Sequence, residues 1–517
     1  MNDAAGGILL ATINAKWIHP SLALRLLKAN LGLWEGRCSI VEFALRQPLR
    51  EKLDPILAAQ PRILGLSVSI WNHAATLELL GALHAAWREQ PGSRPVIVLG
   101  GPEVSYLPPE AAIFRYADYC VRGEGEDAFR GLCTTLLNDG TAREEVLSQT
   151  GKNVPKTKVF SETGQNYTSI QFVNHKFVQV NVTGIKSGYY LYSDEDVLKK
   201  LIYVEGSRGC PYGCEFCQSA ISGAHAHAGG GANSSRVREF PLEPFLAEMD
   251  DLIRRGARTF KFLDRTFNLD IERAQRIMEF FLEKILSLPM PPVVHFEMVP
   301  FRFPPELIES LARFPPGTLR LEIGIQTLNP DVSARIGRPS EPERELSILR
   351  MLREQTAAII HVDLIAGLPG EDMASFAKGF DSLWDAVSPT PAASLPPAFT
   401  AAADTAHPCT EIQLGILKLL PGTPVSRHCA AFGMRGNSLP PYELMETAAL
   451  PAHDLDRIKN FARFWELVVN RGIISVGGSP VFDRFMSLSD YLLAHFGRNW
   501  GIDKQDLITA IITYNKN

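Results

Sequence analysis

Long apolar runs are missing from this 517-residue sequence; no stretch approaches the roughly 20 residues a membrane-spanning helix needs. A charged-then-apolar leader is also missing from the N-terminus, so no secretory signal is expected. Cysteine is scarce: of eight, Cys38, Cys120, Cys133, Cys409 and Cys429 are scattered, which excludes a disulfide framework and leaves them as buried or free thiols. Basic excess is absent too, since 52 Lys and Arg stand against 57 Asp and Glu, a net charge of −5. That balance argues against nucleic acid as a partner held by general basicity. With 45% hydrophobic and 21% charged residues, the expectation is a cytoplasmic chain of two or three domains, without membrane contact.

The other three cysteines are concentrated in one loop, Ser207-Arg208-Gly209-Cys210-Pro211-Tyr212-Gly213-Cys214-Glu215-Phe216-Cys217, directly after the β-like run Leu201–Val204. The spacing is C-x3-C-x2-C. A loop of this length brings three thiolates to one small cluster and leaves one metal open to another group. A structural zinc site is the competing reading, but it wants four protein ligands. The nearest further candidates, His225 and His227, stand in a Gly- and Ala-rich stretch. A [4Fe–4S] cluster with an open iron is therefore expected on Cys210, Cys214 and Cys217. The stretch closely resembles the signature of the radical S-adenosylmethionine (radical SAM) enzymes.

After this loop, strand patterns recur every thirty to forty residues or so, at Thr259–Leu263, Val293–Met298, Leu319–Ile325, Ile359–Ile365 and Glu411–Leu417. With Leu201–Val204 they suit a parallel (β/α)6 partial TIM barrel, whose chemistry lies at the strand C-terminal ends. In Leu319–Ile325 and the residue after it, Glu322, Gly324 and Gln326 alternate onto one face and Leu321, Ile323 and Ile325 onto the other. The radical SAM resemblance implies S-adenosylmethionine on the open iron. A carboxylate wants Arg, and an ammonium or hydroxyl wants an acidic or amide acceptor. Asp264 and Arg265 then suit the methionyl end, Glu322 and Gln326 the ribose or substrate, and Phe216 the adenine, with Glu297 a further cofactor-binding candidate at the end of the third strand. Gly367-Leu368-Pro369-Gly370-Glu371 and Leu417–Pro424 are also similar to family segments.

Upstream, Ile8–Ile13, Ser39–Ala44, Ile63–Val68, Val96–Leu99 and Tyr119–Val121 read as strands. Ser21–Leu33, Glu51–Ala59, Ala74–Glu89 and Glu126–Leu137 read as the helices between them. This alternation predicts a doubly wound, Rossmann-like parallel sheet that binds its ligand beyond the strand C-termini. Ser67 and Ser69, Gly100, Gly101 and Glu103, and Gly123 and Glu124 all fall there. Taken with the cysteine loop, they resemble the cobalamin-binding (B12-binding) radical SAM family, in the subgroup with an uncharacterised C-terminal extension. The resemblance implies cobalamin as a second cofactor. One departure concerns the Asp-x-His-x-x-Gly loop of domains that ligate cobalt through histidine. Here Asn14–Ala23 has His19 but neither the Asp nor the Gly. His19 is thus an axial ligand or a residue that shapes the loop, and the second reading is preferred.

Residues 151–207 contain no Ala and no Arg, and the apolar alternation Phe172, Phe177, Val178, Val180, Val182 suggests a β-hairpin in a linker. Ser388–Pro408 reads as a surface loop, and Tyr442–Thr447 and Asp454–Val469 as helical. The expected domains are 1–147 (B12-binding), 148–197 (linker), 198–430 (radical SAM barrel) and 431–517 (helical extension). The resemblance implies reductive cleavage of S-adenosylmethionine, a low-potential donor of the flavodoxin or ferredoxin type, and methylation of an unactivated carbon or phosphorus centre. Cobalamin-dependent rearrangement or ring contraction, methylthiotransferase-like RNA modification, and a non-enzymatic cobalamin and iron–sulfur redox sensor are the alternatives.

Overall fold

The computed structural model describes residues 7–89, 93–138, 170–173, 179–219, 237–388, 399–401, 410–477 and 479–516. His225, His227, Phe177, Val178 and Cys409 lie outside them. The chain divides into two units, Met1–Pro211 with Ile221–Lys261, and Tyr212–Ala220 with Phe262–Asn517.

In the first unit, β1 (Ile8–Asn14), α1 (Leu22–Ala29), β2 (Cys38–Ala44), α2 (Leu49–Ala59), β3 (Ile63–Ser67), α3 (His73–Glu89), β4 (Val96–Gly100), α4 (Pro102–Tyr106), β5 (Tyr119–Val121), α5 (Glu126–Asn138) and β6 (Gln171–Val173) follow one another. The strands form one parallel sheet in the order β2-β1-β3-β4-β5-β6. The order reverses between β1 and β3, which is where such sheets open a ligand crevice. β1 is buried at every position, as a central strand covered on both faces must be. Its alternation sends Leu9, Ala11 and Ile13 into one core with Leu79, Leu80 and Leu83 of α3. Ile8 and Leu10 enter the other, with Leu24 of α1 and Phe129 and Leu132 of α5. Each such side chain contributes about 1.5–3 kcal/mol on burial.

Two features correct the expected layout. β6 pairs in parallel with β5, so the first sheet takes a strand from beyond residue 147, and among the described residues Gln171–Val173 lies at the edge of that sheet. The segment that follows is packed rather than a free linker. Helix Asp194–Lys199, capped by Ser193, offers Asp196 to the buried Arg25, at 2.7 Å, and Arg25 also holds Glu42 at 2.9 Å.

In the second unit, Val293–Met298, Leu319–Gln326, Ile359–Ala366 and Thr410–Ile416 run parallel, each beside the next. Leu321, Ile323 and Ile325 are buried and Glu322, Gly324 and Gln326 only half-buried, so the predicted two faces are present. Helices Ile271–Ser287, Pro305–Ala312, Pro342–Gln355 and Met373–Val387 alternate with the strands. The outer edge of Thr410–Ile416 is covered by a side chain. Asn470 Nδ2 donates to the Ile412 carbonyl at 3.0 Å, and its Oδ1 accepts from the Ile412 N–H at 3.2 Å. An edge strand closed this way cannot recruit another chain.

The C-terminal part is helical, with Ala452–Trp465, Phe482–Phe496 and Lys504–Tyr514. Aromatic packing fastens it to the barrel helix Met373–Val387: Phe380 lies edge-on to Phe461, Trp465 and Phe482, at 5.1, 4.9 and 5.6 Å. Tyr442–Thr447, expected as helix, contains the strand Leu444–Glu446, paired with Arg435–Gly436. Pro440 and Pro441 precede it and Tyr442 sits at φ +57°, so no helix can start there. Within Ser388–Pro408, Phe399–Ala401 is a strand antiparallel to Ile474–Val476, and the expected loop is interrupted there. No helix among the described residues is long and apolar enough to cross a membrane.

Candidate cofactor sites

In the first unit the loops after β1, β3, β4 and β5 carry the predicted residues. Gly101 has φ +104°, and a Cβ there would stand 2.5 Å from the Val68 carbonyl oxygen. The Val68 N–H donates to the Gly100 carbonyl at 2.8 Å and the Glu103 N–H to the Val68 carbonyl at 3.2 Å, so the Ser67–Ser69 and Gly100–Glu103 loops brace each other. Buried Asn72 locks the same corner: its Oδ1 accepts from the Ser69 N–H at 2.8 Å, and its Nδ2 donates to the Ile13 carbonyl at 2.9 Å. Glu103 is buried against His73 Nδ1 at 2.8 Å, which makes it a brace between α3 and α4. Close backbone and small side chains here leave room for a bulky ligand.

The same strand ends expose three large apolar side chains, Trp17, Ile18 and Trp71, about half accessible each. Loop aromatics exposed beside a crevice offer a surface for a flat ring system. Residue type alone did not single them out, because only the fold shows that they are uncovered. His19 Nδ1 meets the Tyr203 hydroxyl at 2.9 Å, and the Leu201 N–H donates to the Ile18 carbonyl at 3.1 Å. The loop after β1 is thereby tied to strand Ile202–Val204. Burial, with Lys16 and Lys261 nearby, lowers the His19 pKa and favours its neutral ring.

Gly123 and Glu124 lie where β5 ends. Glu124 accepts from the Val180 N–H at 2.6 Å and from Arg238 Nη1 at 2.8 Å, while Glu126 takes Arg208 Nη2 at 2.7 Å. Cys210 follows strand Ser207–Gly209, which pairs antiparallel with Val237–Glu239.

In the second unit, Cys214 is buried and its Sγ lies 3.8 Å from Arg338 Nη1. Burial raises this thiol's pKa and the Arg338 charge opposes that rise. The Cys217 N–H donates to the Cys214 carbonyl at 3.0 Å and the Glu215 N–H to that of Ile336 at 2.9 Å. Glu215 also binds Arg427 and, at 2.9 Å, His428 Nε2. Arg338 makes a second hydrogen bond, to the Gly324 carbonyl, and so joins the cysteine loop to the end of strand Leu319–Gln326. Nothing in its sequence neighbourhood marks Arg338, and the sequence reading missed it.

The donor chemistry of the cysteine set is of the kind an iron–sulfur cluster takes. None of the three thiols is tied up in a disulfide, and a cationic donor faces the buried one, which suits a thiolate bound to metal. Among the described residues no three His, Cys, Asp or Glu side chains already surround one point.

Asp264 is buried, Arg265 Nη1 meets Glu297 at 3.2 Å, and Glu322 meets His295 Nε2 at 3.1 Å. Gln326 ends its strand at φ +70° with its amide folded over Gly324, where a Cβ would stand 2.3 Å away. Phe216 lines a cavity of about 590 Å³ with Ile365, Leu414, Ile416 and Leu420, and with Lys459 and Arg463 of the C-terminal helix. The cavity joins these apolar side chains to a charged rim that includes Lys418, Glu443 and Glu466. A charged layer was not foreseen: Glu297, Glu322, His361 and Glu411 are register partners across four strands, and His361 Nδ1 meets Glu411 at 3.1 Å.

A doubly wound sheet with a ligand edge and a parallel barrel sheet with a three-cysteine loop define a two-cofactor α/β protein. The family model of the B12 binding domain matches residues 8–133, and that of the radical SAM superfamily residues 204–383. The chain is a B12-binding radical SAM protein. The cobalamin-dependent radical SAM methyltransferase TokK of Streptomyces tokunonensis is 26% identical over 364 residues, 66% of this chain and 47% of TokK. The ribosomal protein uS12 methylthiotransferase RimO of Moorella thermoacetica is 26% identical over 262 residues, 48% of this chain and 57% of RimO. The chain thus spans about half the length of these curated relatives. Among solved structures, the radical S-adenosylmethionine methyltransferase TsrM from Kitasatospora setae, with tryptophan and a SAM analogue bound, superposes with a TM-score of 0.57. It is 16% identical, covering 96% of this chain and 89% of that one. The cobalamin-dependent S-adenosylmethionine radical enzyme OxsB gives 0.54 at 15% identity, covering 99% of this chain and 71% of that one.

Proposed function

We propose that this chain is a cobalamin-dependent radical SAM methyltransferase acting on an unactivated carbon or phosphorus centre. The observation that carries the reading is the coexistence in one chain of the braced Gly100–Gly101 crevice and the Cys210, Cys214, Cys217 loop, together with the likeness to TokK. Cys210, Cys214 and Cys217 would hold a [4Fe–4S] cluster. The crevice loops would hold cobalamin, with Trp17 and Trp71 as apolar walls. When bound, the cluster with S-adenosylmethionine supplies a radical able to take hydrogen from carbon, and cobalamin supplies the methyl group.

The protein's part is binding, orientation and exclusion of water. Arg265 offers a fork to a carboxylate, Glu297 and Glu322 accept from ammonium or hydroxyl groups, and Phe216 lines the cavity. Arg338 fixes Cys214 against the barrel strand.

The RimO matches favour a second reading, methylthiolation, which calls for a second cluster on N-terminal cysteines. Apart from Cys210 the first unit has three, but Cys120 belongs to one core of the sheet while Cys38 and Cys133 belong to the other. Burial pushes the Cys38 and Cys120 thiols up to about 12. Buried thiols on opposite faces cannot share a cluster. The test is anaerobic reconstitution with iron, sulfide and hydroxocobalamin, followed by S-adenosylmethionine and a reductant of the ferredoxin or flavodoxin class. Formation of both 5′-deoxyadenosine and S-adenosylhomocysteine is expected. Deoxyadenosine alone would favour rearrangement, and neither product would overturn the proposal.

A further inference from the structure

We propose that Arg208 is a positioning residue for Cys210, and that the Gly123–Glu126 turn of the first unit holds Arg208 in place. The inference rests on reading the cysteine loop as the cluster site. It gives the turn a role other than direct contact with cobalamin, namely linking the crevice of the first sheet to the first cluster ligand.

Arg208 lies two residues before Cys210 on strand Ser207–Gly209. Its cross-strand partner is Arg238. Two guanidinium groups opposite each other repel, and both are nearly buried, with side chains 12% and 16% accessible. Three carboxylates resolve this. Arg208 Nη2 donates to Glu126 at 2.7 Å and to Glu205 at 2.6 Å, and its Nε to both Glu205 oxygens at 3.1 and 3.2 Å. Arg238 holds Glu124 and donates to the Val180 carbonyl at 2.6 Å. Glu205 is itself fixed by Tyr189, whose hydroxyl takes the Glu205 N–H at 3.0 Å and donates to the Glu205 carbonyl at 3.2 Å.

Two of the three carboxylates come from the turn after β5, in the row of loops that forms the crevice. The network carries three negative and two positive charges, a net −1 beside the first cysteine. A ligand that presses on the turn at Gly123–Glu126 therefore changes the hold on Arg208. Gly209, at φ +104° and paired with Val237, bends the backbone between Arg208 and Cys210, and the Arg208 anchoring adds to that pairing in setting where Cys210 stands.

The test uses the full-length chain reconstituted anaerobically with iron and sulfide alone, so that neither cobalamin nor activity enters. Iron per chain, the EPR spectrum after dithionite and the midpoint potential are read for wild type, Glu126→Gln, Arg208→Lys and Arg25→Lys. Arg25 anchors another buried ion network of the same unit, with Glu42 and Asp196, and serves as the structural control. Glu126→Gln and Arg208→Lys are expected to shift the EPR g values. Glu126→Gln should also raise the midpoint potential, because one negative charge is removed. Arg25→Lys should lower the melting temperature yet leave the cluster signals at wild-type values. Should Glu126→Gln not fold, Glu124→Gln, whose side chain is 24% accessible, gives the same readings. Variant spectra and potentials that coincide with wild type, or that Arg25→Lys reproduces, would overturn the proposal. A wild-type chain that takes up no cluster would instead refute the reading of the cysteine loop beneath it.

Discussion

Glu371 should make the second unit less stable as pH rises through neutrality. It follows the Gly367–Gly370 turn and is 2% accessible. Its Oε1 accepts from the Thr327 hydroxyl at 2.6 Å, and its Oε2 has no partner. Burial raises its pKa from an ordinary 4.5 to about 7, opposed by the Thr327 hydrogen bond and assisted by Asp372. The folded chain therefore keeps a proton that the unfolded chain releases above pH 4.5. The stability contributed by neutral Glu371 is complete below that value and is lost as pH rises through about 7. At about 1.4 kcal/mol per pH unit, the difference amounts to about 3 kcal/mol. Glu371→Gln removes the ionisation while keeping an acceptor for Thr327. The variant should match wild type near pH 5 and be more stable by up to about 3 kcal/mol near pH 8.5. Amide hydrogen exchange across Leu319–Gln326 and Ile359–Ala366 reads this locally, as opening rates about a hundredfold slower in the variant at the higher pH. Equal protection of the two proteins at pH 8.5 would refute the reasoning, because Glu371 would then be no more acidic unfolded than folded.

Gly101→Ala should destabilise the first unit by roughly 2–5 kcal/mol, combining a backbone conformation reserved for glycine with a clash on Val68. Urea denaturation should show it, and hydroxocobalamin uptake, followed by absorbance, should fall with it. Arg25→Ala leaves Glu42 buried without its cation, while Asp196 keeps Lys200 at 2.8 Å, and should cost about 3 kcal/mol, read as a lowered melting temperature. Cys38 and Cys120 should resist maleimide in the native apo chain at pH 8 and react once urea unfolds it, since burial holds both thiols protonated to about 12. Prompt labelling of either would contradict the packing described.

The strands were legible because short β-branched runs between amphipathic segments have few other uses. Tyr119–Val121 and Val293–Met298 fall where the sequence places them, and most other boundaries move by one residue. β6 was not legible as part of the first sheet, because 32 residues separate α5 from it and the composition changes between them. Tyr442–Thr447 misled because its Glu and Met favour helix, while the decisive constraint, two prolines and a left-handed Tyr442, lies at its start. Among site residues, the cysteines declare themselves by spacing. Glu103 could be found by position but not by role, since its pairing with His73 depends on how α3 and α4 meet. Arg338 and the His361–Glu411 pair were beyond reach for the same reason: register and helix placement, not local pattern, bring them to their partners.

The charged groups of the barrel face differ in how readily they can serve a ligand. Arg265 and Glu297 face each other at 3.2 Å, but the Arg265 side chain is 53% accessible. A solvent-exposed pair of this kind is worth about 0–1 kcal/mol, so a ligand carboxylate can take Arg265 from Glu297 at little cost. His361 and Glu411 are 8% and 23% accessible, and His361 Nε2 is buried without a partner. Disrupting that pair would strand a buried group, at a cost of about 1–3 kcal/mol. The buried pair is the costlier of the two to disturb, and the exposed Arg265 the one able to exchange its partner. The S-adenosylmethionine carboxylate should thus be sought at Arg265. Arg265→Lys keeps the charge and loses the fork, and should weaken binding of the SAM analogue aza-SAM to the reconstituted protein about tenfold. His361→Asn should leave that binding constant near the wild-type value while lowering the melting temperature. The opposite pattern in calorimetric titrations would move the carboxylate site from the exposed pair to the buried one.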